Sequence, residues 1–314
     1  PCVFSYRLSA WYRKTGVPAS ASFVTDPQTT LTRRFARAVE PLHSCAYYAK
    51  EINQFTEMGY SGWWHAYFAY RSAPMGTATA QQVTDVFYNF APRMVGKAVP
   101  NCWEIMSPSQ VRQTQLDLVD RALHRIFQDY ESQGELVYAS EALKTSLPEF
   151  DAMERPLFAA WAGEPWPDSP LLDLWHATTL LREYRFDGHN SALRQANLSG
   201  LGCHLMMAAD GRGTPAIIQK IRGWNHQEWT REAEELRSRG WINDDGRHTP
   251  LGRSVRRGVE LATDQNAQSI VANLGDERSG QVLEVLERVA AFLIETGVVP
   301  GSWPPKHLGQ MGSA

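Results

Sequence analysis

The chain has 314 residues, 43% of them hydrophobic, with 31 Lys and Arg against 34 Asp and Glu and a net charge of −3 at pH 7. This balance excludes general disorder, allows two or three domains with a sizeable core, and lacks the cationic surplus with which duplex-DNA binders neutralise phosphates. Cys2, Cys45, Cys102 and Cys203 form no C-x-x-C pair, and no stretch reaches the ~20 apolar residues of a membrane span or reads as a signal peptide, so a cytoplasmic protein with no membrane contact is expected.

Residues 1–28 carry no clear period and read as an N-terminal extension. A helical N-terminal domain is expected over 29–150. Its first helix carries Phe35, Val39, Leu42, Ala46 and Ala49 at helical spacing, with Pro41 expected to bend or restart it. An aromatic run from Tyr60 to Arg71 follows and stops at Ala73-Pro74-Met75-Gly76. Thr79, three residues before Gln82, has the spacing of a capping box. The best amphipathic pattern is 109–130, with a stripe of Leu116, Val119, Leu123, Ile126, Phe127 and Tyr130. Ser169-Pro170 then opens a strong helix that is expected to break at Phe186-Asp187-Gly188, before a short helix carrying His189. Residues 282–295 make a last amphipathic helix, fit to pack back on the body or to pair two subunits, so a homodimer is a candidate assembly. The tail from Pro300 reads as irregular.

Residues 214–264 give the order of a winged helix, within a domain expected over 151–270 and ahead of a C-terminal segment over 271–314. Thr214-Pro215 caps a helix and Gly223-Trp224 turns the chain. Asn225 with Glu228 opens a second helix, which ends at Gly240. Trp241-Ile242 and Arg247-His248-Thr249 would form a small two-stranded wing around Asp244-Asp245-Gly246, before a long helix from Thr249-Pro250. The expected fold class is therefore mainly α, a helical N-terminal domain plus a winged-helix domain. The string from Leu236 to Gly252, with Arg239-Gly240-Trp241-Ile242, Asp245-Gly246, Thr249 and Gly252, resembles the MarR pattern, which implies a MarR-like winged helix. DNA is not the expected partner, because the would-be recognition helix sets Glu228, Glu232, Glu234 and Glu235 against Arg231, Arg237 and Arg239.

Two groups of residues could carry chemistry. On the helix after Ser169, His176 and Glu183 share one stripe; Arg182 and Arg185 could hold an anion, and Asp187 and His189 follow. In the N-terminal half, His43 and Tyr47 lie on one helix, while Trp64, Tyr67 and Arg71 lie on another, a set suited to a flat apolar ligand with a polar end. The competing reading makes the first group a salt-bridge network and the second an aromatic helix contact. No Walker loop, dinucleotide fingerprint or nucleophile elbow is present. No metal or other cofactor is expected; a haem or a His-bound ion would have to use His43, His176 and His189, which lack compact ligand spacing.

From about residue 33 to 275 the sequence resembles a family of actinobacterial helix-turn-helix, MarR-like proteins. The resemblance rests on Glu40-Pro41-Leu42-His43, Gly62-Trp63-Trp64, Arg71 to Gly76, and Phe87-Tyr88-Asn89-Phe90-Ala91-Pro92. It continues through Trp166-Pro167-Asp168, Leu174-Trp175-His176, Leu181-Arg182-Glu183, Asp187-Gly188-His189 and Arg222-Gly223-Trp224. Tyr184-Arg185-Phe186 stands where the family pattern leads one to expect His-Arg-Gly. The family carries over no catalytic role. Because several matching strings lie outside the winged helix, the resemblance implies shared business in a pocket between the two halves.

Taken together, the sequence leads to a small-molecule protein of secondary metabolism acting on an apolar or aromatic substrate by cofactor-free acid/base chemistry. His176, Glu183, His189 and His43 are its acid/base candidates. A ligand-responsive DNA-binding regulator and a non-catalytic metabolite-binding or resistance protein are the alternatives.

Overall fold

Pro92, Pro108, Pro156, Pro170, Pro215 and Pro250 each stand at a first helical turn, where a missing N–H costs nothing. The computed structural model describes residues 30–301, and the expectations for 1–28 and for most of the tail lie outside the described residues. The secondary structure of the described residues is helical throughout, apart from one isolated bridge.

In chain order the α-helices are α1 (Leu31–Tyr48), α2 (Gln54–Glu57), α3 (Trp63–Ser72), α4 (Ala80–Phe87), α5 (Pro92–Val95) and α6 (Cys102–Ile105). They continue as α7 (Pro108–Phe127), α8 (Gln133–Ser146), α9 (Pro156–Ala162), α10 (Pro170–Gln195) and α11 (Gly200–Ala209). The last five are α12 (Pro215–Arg222), α13 (His226–Ser238), α14 (Pro250–Asn266), α15 (Ser269–Leu274) and α16 (Asp276–Glu295).

α10 is the central element. It packs against α1, α7, α8, α9 and α14, while α16 lies on α1 and α8. One apolar core runs from Phe35 on α1 to Leu293 on α16. A second, smaller one joins Leu193 on α10 to Leu201, Ile218, Trp229, Leu236, Ile242 and Val259. This second core holds the helix-turn-helix: α12, a turn at Gly223 with φ 77°, and α13, which opens on an Asn225–Glu228 capping box.

Three sequence expectations need correction. α1 runs unbroken through Pro41, so the proline neither bends nor restarts it enough to divide the helix. α10 continues through Phe186-Asp187-Gly188 as one 26-residue helix. Gly188 marks a close approach and not a break: a Cβ there would meet Arg155 Nη1 at 2.9 Å and Asn266 Cβ at 3.0 Å. The two-stranded wing shrinks to a single antiparallel bridge between Ile242 and His248. The turn leaves room for little more, because Gly240 and Pro250 close the segment on either side and Pro250 has no N–H to extend a ladder.

The helix-turn-helix is docked on the segment between α4 and α5. The Ala91 N–H donates to the Arg222 carbonyl at 2.9 Å and Trp224 Nε1 donates to the Asn89 carbonyl at 3.1 Å, while α11 docks beside it, with the Tyr88 hydroxyl donating to the Leu198 carbonyl at 2.8 Å. Gly200 makes the approach possible, since a Cβ there would lie 2.0 Å from the Tyr88 carbonyl oxygen.

Candidate functional site

Three helices bring polar side chains to one buried point. On α1, His43 and Tyr47 are one turn apart. On α3, Tyr67 and Arg71 are one turn apart, and α10 supplies Thr179, Arg182 and Glu183. Arg71 and Glu183 are 1% and 0% exposed and form a two-pronged pair, Nε to Oε1 at 3.0 Å and Nη2 to Oε2 at 2.9 Å. Arg71 Nη1 donates to the Tyr67 hydroxyl at 2.7 Å, and Arg182 Nη1 donates to the same carboxylate at 2.8 Å. Two guanidiniums thus share one carboxylate. Burial pushes the Glu183 carboxyl up, but Arg182 and Arg71 outweigh it and hold it down to about 2. Glu183 is therefore a fixed anion and a poor proton acceptor.

His43 and Tyr47 form a relay beside this pair. Thr179 Oγ1 donates to the Trp175 carbonyl at 2.9 Å and lies 3.0 Å from His43 Nδ1. Its one proton is thereby used, so Nδ1–H donates to it, and Nε2 accepts from the Tyr47 hydroxyl at 2.9 Å. Burial, with Arg182 next in weight, lowers the His43 pKa well below the usual imidazole range, and burial raises the Tyr47 phenol well above its own. The resting state is a neutral imidazole with a neutral phenol on its basic nitrogen. Such a pair can pass a proton without storing a charge.

Rings wall the cluster. Trp63 stacks on Tyr67 at 5.0 Å, Trp64 meets Phe90 edge-on at 5.7 Å, and Arg71 lies over Phe87 at 4.4 Å. Arg182 and Arg71 lie over Phe186 at 4.8 and 4.9 Å. Trp63, Trp64, Tyr47, Tyr48, Arg182 and Phe186 are half-buried, so this side reaches solvent.

Of the sequence candidates, His43, Tyr47, Trp64, Tyr67, Arg71, Arg182 and Glu183 come together here. The other four do not. His176 shares the Glu183 stripe, but seven residues on a helix is about 10 Å of rise, and it packs between Trp161 and Trp166. Arg185 bonds Asp264 on α14 at 3.2 Å. Asp187 accepts the N–H groups of Leu157 and Phe158 at 3.0 and 2.9 Å, occupying unpaired donors in the first turn of α9. His189 Nδ1 meets Thr263 Oγ1 at 2.9 Å. These are contacts between helices in place of the expected acid/base and anion-holding set. Phe87, Phe90 and Phe186 were not anticipated as walls of the site, although each lies in or beside a string shared with the family.

A family model described as Helix-turn-helix family matches residues 32–300. The chain belongs to this helix-turn-helix family. No curated protein and no solved structure gives a match. The match covers the body together with the docked α12–α13 unit. Among the described residues no helix is long and apolar enough to cross a membrane, and no three His, Cys, Asp or Glu side chains are grouped to hold a metal ion.

Proposed function

We propose that this helix-turn-helix protein binds a flat, anionic aromatic molecule at the half-buried edge of the Arg71–Glu183–Arg182 cluster and uses its helix-turn-helix as a scaffold. One observation carries the reading. Two guanidiniums face a single buried carboxylate inside a wall of aromatic rings, and Arg182, whose further carboxylate contact is the exposed Glu40 at 3.5 Å, stands at the edge where a ring would stack. The finer part of the proposal is cofactor-free acid/base chemistry on that ligand, with the Tyr47 oxygen taking a proton from the ligand as Tyr47 passes its own to Nε2 of His43.

Tryptophan fluorescence titration of the full chain tests the binding reading. 2-Naphthoate is expected to bind more tightly than neutral 2-naphthalenemethanol, and Arg182→Met to weaken the acid at least ten-fold while sparing the alcohol. Equal affinity for both compounds, or an unchanged acid affinity in the variant, would overturn the proposal.

A DNA-binding regulator is the second reading, favoured by the family itself and by the way its acidic residues are used. Glu228 pairs with Arg93, Glu232 accepts from Ser199 and Glu235 pairs with Arg239, which reduces the repulsion these residues offer to phosphates. Gln227, Thr230 and Arg231 remain exposed on α13. A gel shift with the gene's upstream DNA across a salt series separates the readings: a regulator gives sequence-specific retardation that fades with salt, and a scaffold gives none.

A further inference from the structure

A second group of polar atoms lies away from the Arg71–Glu183 cluster, in the core where α7, α8, α9 and α10 meet. His176 is fully buried, and neither of its ring nitrogens has a hydrogen-bond partner. Arg112, 5% exposed, donates to Glu164 at 3.1 Å and to Gln115 at 3.0 Å, but its Nη2 is unpartnered. Asp173, one turn before His176, receives Lys144 at 2.7 Å on one oxygen and nothing on the other. A buried polar atom without a partner carries its full desolvation cost. Native interiors carry few of them, and here four fall on three side chains of the packed helices α7 and α10.

Indole rings surround the group. Arg112 lies over Trp161 at 4.5 Å and Trp175 at 5.7 Å, while Trp166 stands edge-on to His176 at 5.0 Å and beneath Lys144 at 5.0 Å. Trp166 also lines a groove of about 690 Å³ between α7 and the segment leading into α10, together with Leu116, Pro165 and Leu172. The half-buried Trp166 indole thus touches both this groove and His176.

The chemistry of the four atoms selects the ligand. Arg112 Nη2 is a donor, Asp173 Oδ1 an acceptor, and a neutral His176 offers one of each. Arg112 is balanced by Glu164 and Lys144 by Asp173, so the charges cancel. An anion would meet the uncompensated oxygen of Asp173, and a cation would meet Arg112. We propose that this is a second binding site, distinct from the arginine cluster, for a flat neutral molecule bearing a carboxamide or lactam edge. Its carbonyl faces Arg112, its N–H faces Asp173, and its ring lies in the groove against Trp166.

Isothermal titration of the full chain with benzamide, benzoate and benzylamine tests this. Benzamide is expected to bind, with the two charged analogues at least ten-fold weaker. His176→Phe, which keeps a ring and removes both nitrogens, is expected to cost benzamide at least ten-fold, and Trp166→Ala, at a half-buried loop position, to weaken it as well. The proposal fails if benzoate or benzylamine binds as tightly as benzamide. It also fails if a folded His176→Phe protein keeps full benzamide affinity, or if no probe binds the wild-type chain.

Discussion

At the residue scale the cluster shows what a buried ion pair demands. Removing one partner leaves a charge without water or counter-ion, a loss of about 3–5 kcal/mol, whereas replacing both partners by apolar groups is far less harmful. Glu183→Gln would strand Arg71 and leave Arg182 only the exposed Glu40 at 3.5 Å, and Arg71→Met would strand part of one carboxylate. Each is expected to lower unfolding stability by about 3–5 kcal/mol in a urea titration, and the Arg71→Met/Glu183→Leu pair by well under the sum. Additive losses would mean that the two side chains do not act as a pair. The sequence made half of this visible. Spacings of three and four residues on a helix put His43 with Tyr47 and Tyr67 with Arg71, because that spacing is a local rule. Which stripe of α10 faces them is a matter of tertiary packing, and there His176 and Glu183 were joined by a shared stripe that ignores the distance between turns.

At the element scale, glycine carried two different messages. Gly223 and Gly240 stand at positive φ and end their helices as the sequence leads one to expect. Gly188 and Gly200 instead make room for a neighbour that no local pattern reveals, which is why α10 looked broken when it is continuous. Gly200→Ala would drive a Cβ into the Tyr88 carbonyl and force α11 off the body. About 2–3 kcal/mol and a Tm lower by roughly 5–10 °C are expected in a thermal melt, with loss of the Tyr88–Leu198 bond. An unchanged melt would mean that the docking is not close. The wing shows the opposite error: two short segments around an Asp-Asp-Gly turn read as two strands, yet only one bridge fits between Gly240 and Pro250.

For the whole molecule, the buried imidazoles set the acid limit. Burial lowers His176 and His204 to about 3 and His189 to about 4, and His43 is lowered in the same direction. Between about pH 4 and 6.5 the unfolded chain binds these protons and the folded chain does not, so stability rises with pH by about 1.4 kcal/mol per unit for each such His. Asp187 opposes this. Burial raises it to about 7, so it holds its proton in the folded chain where the unfolded chain has lost it, and stability falls as pH rises from about 4 to 7. Four groups outweigh one. Tm is expected to climb between pH 4 and 6.5 and to level off above, and a Tm that falls over that window would contradict the buried neutral state of these histidines. The mainly helical class and the helix-turn-helix were legible because capping boxes and amphipathic stripes are local. The sharing of α10 between two cores was not, since it follows from contacts between residues far apart in sequence.

That shared helix has a consequence for how the chain can change. Between Arg182 and His189, α10 addresses the arginine cluster, α14, the first turn of α9 and α11 in succession. Adding or deleting one residue in this stretch would rotate everything beyond it by about 100° and shift it by about 1.5 Å, exchanging every one of those partners at once. The stretch therefore has a fixed phase. Single substitutions can tune one contact at a time, but variation in length has to be absorbed in the loops on either side of the helix.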